Sequence, residues 1–389
     1  GYLQLINRKI VEMLISSDSV KKLAEYVENR DEVFCSGLFL SARWMVVSQL
    51  DVLGIQLIVL PDRDSAEYCA ADLYHLIEGD RVYFLPDSGK NLERSNYKSS
   101  LGVQRTSAIG KILEYREGEQ MIVVTYPSAL EEIIPEKGKI SGSLLKLVVG
   151  EERSYEEIKE ILFSSGFERV DFVSEPGQFA VRGALIDIFS YSFNNPFRIS
   201  FFGDEIESIN IFDANTQLSK EKVDYVDIYP DLSSSEDGEG SMVTDILPED
   251  TLVWLDSSDM YKDKSFFPEL KKFRNIYMEL PLSRQDEDAV RFNISPQPVF
   301  SKNFELLTED IRNKIENGFR VRIYGEKQSQ LERLKSILSQ NGGIFPEFVS
   351  GSNIHNGFID HENKVCCYSD HEIFDRVHRV NIRRTVEKS

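Results

Sequence analysis

The chain is short of positive charge. It sets 45 lysines and arginines against 65 acidic residues, a formal charge of −20. Duplex-DNA modules need a basic face to displace counterions from phosphate, and usually show a basic balance. Strong autonomous DNA binding is therefore not expected, and a basic protein surface is the better match. Cysteine is scarce as well. Cys35, Cys69, Cys366 and Cys367 fit no zinc spacing and no disulfide framework, and read as buried reduced thiols. The run His355, His361, Cys366, Cys367, His371 holds ligand-type side chains. Adjacent cysteines on a strand point to opposite faces, however, so no metal is expected. No apolar stretch approaches the ~20 residues that span a bilayer, and no basic segment leads into an apolar one at the start. No membrane partner and a cytoplasmic location are the expectation. Gly1 stands where a methionine could, and "RRTVEKS" closes no element. The chain reads as a piece of something longer, and as a monomer.

What is present is a strand–helix alternation over residues 1–125. "EVFCSG" reads as a strand and "SARWMVVSQLDVLG" as a helix ended by Gly54. "IQLIVLPD" is a strand, and "DSAEYCAADLYHLIEGD" a helix capped by Asp64 or Ser65. "RVYFLPD" and "QMIVVTYPSAL" are strands flanking the helix "SAIGKILEYREG". Buried-type strands separated by amphipathic helices predict a parallel sheet covered on both faces. Over 126–213 the pattern changes to one helix, "SYEEIKEILFSSGF", followed by short alternating runs with Gly, Pro and Asn between them. That predicts an inserted α+β domain with an antiparallel sheet. "PDLSSSEDGEGSM" reads as a flexible linker, and 214–290 as the return to the first domain through "TLVWLD" and "NIYMELP". A small α/β domain fills 291–389, with "FRVRIYGE" and "KVCCYSD" as strands and "HEIFDRVHR" near its end.

The segment "CSGLFLSARW" falls at a strand–helix turn, where a phosphate-binding G-x-x-x-x-G-K-[ST] loop is found in nucleotide enzymes. Gly37 keeps the first glycine. Ala42, Arg43 and Trp44 replace the second glycine, the lysine and the hydroxyl. Arg43 lacks the lysine's compact geometry, and Trp44 cannot bind magnesium. The acidic pair such a site also needs is best matched by Asp204 and Glu205 in "FFGDEIE", which sits at a strand-to-strand turn in the inserted domain. No catalytic residue, no cofactor and no ATP binding follow from this reading.

"EPGQFAVRG", "LIDIF", "RISFFGDEIESI" and "FDANTQ" stand in order between Glu175 and Gln217. This series resembles the amino-terminal, UvrB-homology region of the transcription-repair coupling factors (the Mfd family), with "SPQPVF" and "SDHEIFDRVHRVNIRR" resembling its end. The resemblance implies a degenerate helicase-like α/β domain, RecA-like or Rossmann-like, that carries the inserted domain and has lost its phosphate loop. It also implies loss of the long DNA-gripping hairpin of UvrB, because few residues lie between Pro86 and Ser99. UvrA is the implied partner of the inserted domain, through Arg182, Arg198 and Phe202. RNA polymerase and duplex DNA are implied partners of regions absent here, as is an intramolecular contact with an ATP-hydrolysing translocase half. The rival reading is an active nucleotide-dependent DNA-repair helicase subunit resembling UvrB. Alternation in "FRISFF" places Arg198, Ser200 and Phe202 on one face and Phe197, Ile199 and Phe201 on the other. One face then packs the core while the other meets a partner. Asp204 and Glu205 are structural, or hold Arg198.

Overall fold

The computed structural model describes residues 17–376, apart from 51, 78–79, 94–95, 236–237, 286 and 343–344. Part of "HEIFDRVHR" and all of "RRTVEKS" lie outside the described residues. The architecture is mixed α/β, and it divides into two compact units. Among the described residues, one holds those up to Val82, then 120–124, then Asp250 to Arg376. The other holds 83–119 and Thr125–Glu249.

The chain enters through helix α1 (Asp18–Asn29), whose N-cap Ser17 accepts from the Val20 amide. Strand β1 (Glu32–Ser36), helix α2 (Ala42–Gln49), strand β2 (Gly54–Val59) and helix α3 (Arg63–Leu76) follow. Gly54 does not end a helix, as its position suggested. It opens β2 with φ of 100°. The cap of α3 is Asp62, which accepts from the Ser65 amide; Asp64 lies inside the first turn. Strands β3 (Val82–Phe84) and β4 (Gln120–Thr125) bracket helix α4 (Asn96–Leu113).

Between them and the return of the chain lie the short helix α5 (Pro127–Glu131), strand β5 (Leu145–Val148) and helix α6 (Tyr155–Ser164). Seven strands follow: β6 (Glu168–Arg169), β7 (Gln178–Arg182), β8 (Leu185–Ile188), β9 (Phe197–Phe202), β10 (Glu205–Phe212), β11 (Ser219–Val223) and β12 (Tyr225–Ile228). Strands β13 (Leu252–Leu255), β14 (Arg274–Tyr277) and β15 (Val290–Arg291) then complete a seven-stranded sheet of order β15-β1-β14-β13-β2-β4-β3. The pairings of β1, β13 and β14 with their neighbours are parallel. β2 and β13 are buried at every residue, as central strands covered on both faces must be. Trp254, fully buried, has its indole N–H satisfied by the Gln56 side chain at 2.9 Å.

The last stretch of this unit is a mixed five-stranded sheet. Strands β16 (Ile294–Pro296), β17 (Arg320–Gly325), β18 (Glu347–Ser350), β19 (Phe358–Asp360) and β20 (Val365–Ser369) pair in the order β16-β19-β20-β17-β18. Both Cys366 and Cys367 on β20 are buried, Cys366 in the apolar cluster around Leu334.

The other unit carries the inserted domain. Its six-stranded sheet has the order β11-β10-β9-β8-β7-β6, antiparallel except for the two-residue β6–β7 pair. Ile158 and Leu162 of α6 are buried, and Tyr155 meets Phe201 edge-on with centroids 5.4 Å apart. The described residues of "PDLSSSEDGEGSM" lack regular structure but are held at two points: Leu232 is fully buried, and Ser241 bridges to Ile134. Arg105 holds the segment as well. This arginine of α4 is completely buried and donates to the carbonyls of Ser233, Pro86, Ala129 and Glu132 at 2.6–2.9 Å. Gly110, one turn on, has the Tyr229 ring where a Cβ would stand, 2.4 Å away.

Candidate partner-binding site

The alternation in "FRISFF" is realised in β9. Phe197, Ile199 and Phe201 are buried, while Arg198 and Ser200 are half-buried and Phe202 is exposed. Phe202 keeps 79% of its surface, which is unusual for so large an apolar side chain at a strand end.

Register explains what surrounds it. Asp187 of β8 lies directly across from Arg198, and Leu185 across from Ser200. On the other side of β8, Leu185 pairs with Arg182 and Asp187 with Ala180. Directly paired residues share a face. Arg182, Leu185, Asp187, Arg198, Ser200 and Phe202 therefore form one outer face of the sheet. Two hairpins end it. Arg182 and Phe202 each stand just before a two-residue turn that opens with a glycine at positive φ, Gly183 at 56° and Gly203 at 62°. Because β8 and β9 are antiparallel, both turns lie at the same end of the sheet.

Asp187 is the centre of the face. Its side chain is 2% exposed and takes three guanidinium hydrogen bonds. Arg198 grips both carboxylate oxygens, Nε at 2.8 Å and one terminal nitrogen at 2.9 Å. Arg182 gives one bond of 2.7 Å. The shared carboxylate raises the Arg198 pKa further above its already high ordinary value, so that guanidinium is charged at any working pH. Each arginine also lies over an aromatic ring: Arg198 on buried Phe212 at 4.4 Å, Arg182 on exposed Phe172 at 4.9 Å.

Asp187 was not among the residues singled out from the sequence, although "LIDIF" shows a carboxylate between buried isoleucines. Asp204 and Glu205 are not the holders of Arg198. Asp204 lies in the β9–β10 turn, where its carbonyl accepts from the Arg153 amide, and Glu205 opens β10 and bridges to Glu152.

The other region of interest is the Gly37 turn between β1 and α2. Gly37 has φ of 71°, and a Cβ on it would stand 2.0 Å from the Phe292 carbonyl oxygen. The Phe292 backbone thus packs directly against the turn. The amides of Arg43 and Trp44 are turned back onto the carbonyls of Leu40 and Ser41. Ala42 and Trp44 are buried in α2. Arg43 pairs with Asp256 at 3.1 Å, with side-chain exposures of 21% and 9%. Asp256 directly follows β13, so an acidic residue does stand at the end of an apolar strand next to this turn. It is Asp256, not Asp204 or Glu205. "TLVWLD" carried that signal, but only the sheet order brings it to Arg43.

Comparison with known proteins supplies the setting. Residues 145–233 match the family model of the UvrB interaction domain. The chain is similar to the transcription-repair-coupling factor of Mycobacterium tuberculosis, 28% identical over 55% of this chain and 18% of the relative. The Bacillus subtilis protein of the same name is 31% identical over 42% of this chain and 14% of its own length. The Borreliella burgdorferi protein aligns at 20% identity with 97% of this chain and 39% of its own length. The chain thus spans well under half the length of these relatives. The double-arginine face lies wholly inside the matched segment: the chain carries a segment that matches the UvrB interaction domain, set in a sequence that resembles the transcription-repair-coupling factors.

Proposed function

We propose that this chain is a non-catalytic recruitment module that docks UvrA through Arg182, Arg198 and Phe202. The observation that carries the reading is the outer face of the inserted sheet. It combines charged, oriented arginines with a protruding phenylalanine, inside the segment that matches the UvrB interaction domain. Arginine and aromatic side chains are the usual energetic anchors of protein interfaces. In the whole protein the module brings excision repair to stalled RNA polymerase, while regions outside this chain bind polymerase and duplex DNA and hydrolyse ATP. Those regions include the translocase half, against which the module folds. The first sheet is a helicase-like domain whose phosphate loop has decayed. The closely packed turn at Gly37 and the Arg43–Asp256 pair favour that over the rival reading of a nucleotide-dependent helicase subunit.

The test is calorimetric titration of UvrA into the chain and into its Arg198→Ala/Phe202→Ala variant, with folding followed by circular dichroism. Binding by the parent and its loss in a folded variant are expected. A parent chain that does not bind UvrA, or a variant that binds equally well, overturns the docking reading. Saturable binding of millimolar ATP by the chain revives the enzyme.

A further inference from the structure

The docking reading leaves one group unassigned, the buried carboxylate beneath the two arginines. We propose that Asp187 is the positioning residue of this face: it pins Arg182 and Arg198 as one fork whose outward donors receive a carboxylate of the partner. The inference rests on the UvrA-docking reading above.

The geometry supports it in three ways. Asp187 sits on β8, between the strands that carry the two arginines, and register places it across from Arg198. It bonds both guanidinium groups through the same oxygen, Oδ2, which fixes their spacing. Its own burial between Ala180 and the arginines leaves it no route to a partner. It therefore acts through them. An arginine side chain loses rotamer entropy when it is immobilised in an interface, and pinning it beforehand removes part of that cost.

The chemistry of the ligand follows from what the fork has left to give. Two guanidinium groups face one carboxylate, so one positive charge is left over. Arg182 spends one bond on Asp187 among the described residues, and 40% of its side chain is exposed. Guanidinium donors lie in a plane and match a carboxylate in bidentate geometry. Phe172 beneath Arg182 and Phe202 beside the fork give apolar flanks. Glu205, paired with Phe202 across the hairpin, sets a negative charge at the rim. The directional fork, not the overall charge of the face, is then what selects the partner's acid.

The experiment is a double-mutant cycle in the full chain with purified UvrA as titrant, using Asp187→Asn, Arg198→Gln and their combination. Asp187→Asn is expected to weaken binding about tenfold, and the combination to bind no more weakly than Arg198→Gln alone. Heteronuclear relaxation of the arginine Nε–H groups in the unbound chain gives a second readout. The Arg198 Nε–H is expected to be rigid in the parent and mobile in Asp187→Asn. Should Asp187→Asn fail to fold, the combined variant, which buries no unmatched charge, keeps the relaxation and binding measurements open through Arg182. Asp187→Asn binding like the parent while Arg198→Gln weakens sinks the positioning role alone. Equal additive losses in both backgrounds reduce Asp187 to a fold-stability residue. No binding by the parent, or no effect of Arg198→Gln, sinks the docking reading itself.

Discussion

Each unit of the molecule sets arginine against aspartate at a conspicuous turn, and the two arrangements do opposite things. At the Gly37 turn one arginine meets one aspartate, both largely enclosed. The charge is consumed within the fold. On the inserted sheet one buried aspartate meets two arginines, flanked by exposed Phe172 and Phe202. There the charge is in excess and presented outward. Stoichiometry, rather than residue type, separates the two pairs, since the Arg43 and Arg198 side chains are exposed alike, at 21% and 20%, and only Arg182 is more open. Arg105 marks the far end of the scale, with its donors spent on backbone carbonyls and no exposure at all.

The sharpest way to break the comparison is at Arg105. Burial lowers its pKa, but four carbonyls and nearby Glu132 and Asp87 hold the charge in place. Arg105→Ala leaves those carbonyls without donors and is expected to cost about 3–5 kcal/mol. Urea unfolding followed by fluorescence checks this. A loss under about 1 kcal/mol shows that the carbonyls find other donors.

The next test contrasts the two aspartate-bound arginines directly. Arg198→Ala is expected to weaken UvrA binding by about 2–4 kcal/mol, whereas Arg43→Ala leaves affinity unaltered. Equal losses would mean that an arginine on a shared aspartate and one with an aspartate to itself do not differ in kind.

A third test concerns a buried carboxylate of the first unit. In the first unit Asp72 is buried and accepts from the Ser41 hydroxyl at 2.7 Å and the His355 amide at 2.9 Å. It thereby ties α3 and the Gly37 turn to the loop before β19. Desolvation pushes its carboxyl up to about 7; the Ser41 and His355 hydrogen bonds and Arg43 oppose that, and Glu372 adds to it. His371 lies close by, its Nε2 2.6 Å from the His355 carbonyl oxygen. A carboxyl raised in the fold stabilises fully below its unfolded value near 4, and that stabilisation is lost as pH climbs through about 7. Stability is thus expected to fall by about 2–3 kcal/mol between pH 5 and pH 8, and Asp72→Asn to flatten the slope. Denaturation midpoints across that range decide it. An unchanged slope in Asp72→Asn places the titration elsewhere.

The sequence reading reached furthest where period alone carries the information. "FRISFF" gave its two faces, and "IQLIVLPD" and "TLVWLD" gave strands that prove to be central and buried. Contacts set by register were invisible. Asp187 meets Arg198 because β8 and β9 pair with these two residues opposed. Asp256 meets Arg43 because β13 runs beside β2 in the sheet, far from it in sequence. Arg105 stands just before the predicted helix "SAIGKILEYREG" and carries no signal of its own; the helix starts earlier, and the loops packed around it make Arg105 a buried hub. Gly54 was misread because a glycine after a helical run signals a cap as readily as a strand start.

The smallest effect tests whether the Gly37 turn is held by structure or by missing chemistry. Restoring the motif with Ala42→Gly, Arg43→Lys and Trp44→Ser supplies every side chain a phosphate loop requires. It does not move the Phe292 carbonyl, which stands where a Cβ on Gly37 would be, and Phe292 is tied to Ser36 by a 2.8 Å backbone hydrogen bond. Nor does it free the amides of residues 43 and 44, which donate to the Leu40 and Ser41 carbonyls. The restored chain is therefore expected to bind millimolar ATP no better than the parent. Arg43→Ala alone should cost about 1 kcal/mol, as befits a single, largely enclosed pair that still keeps some contact with solvent. Saturable ATP binding by the restored chain would show that three side chains were all that had been lost, and that Arg43 is consumed by Asp256 only because nothing else competes for it.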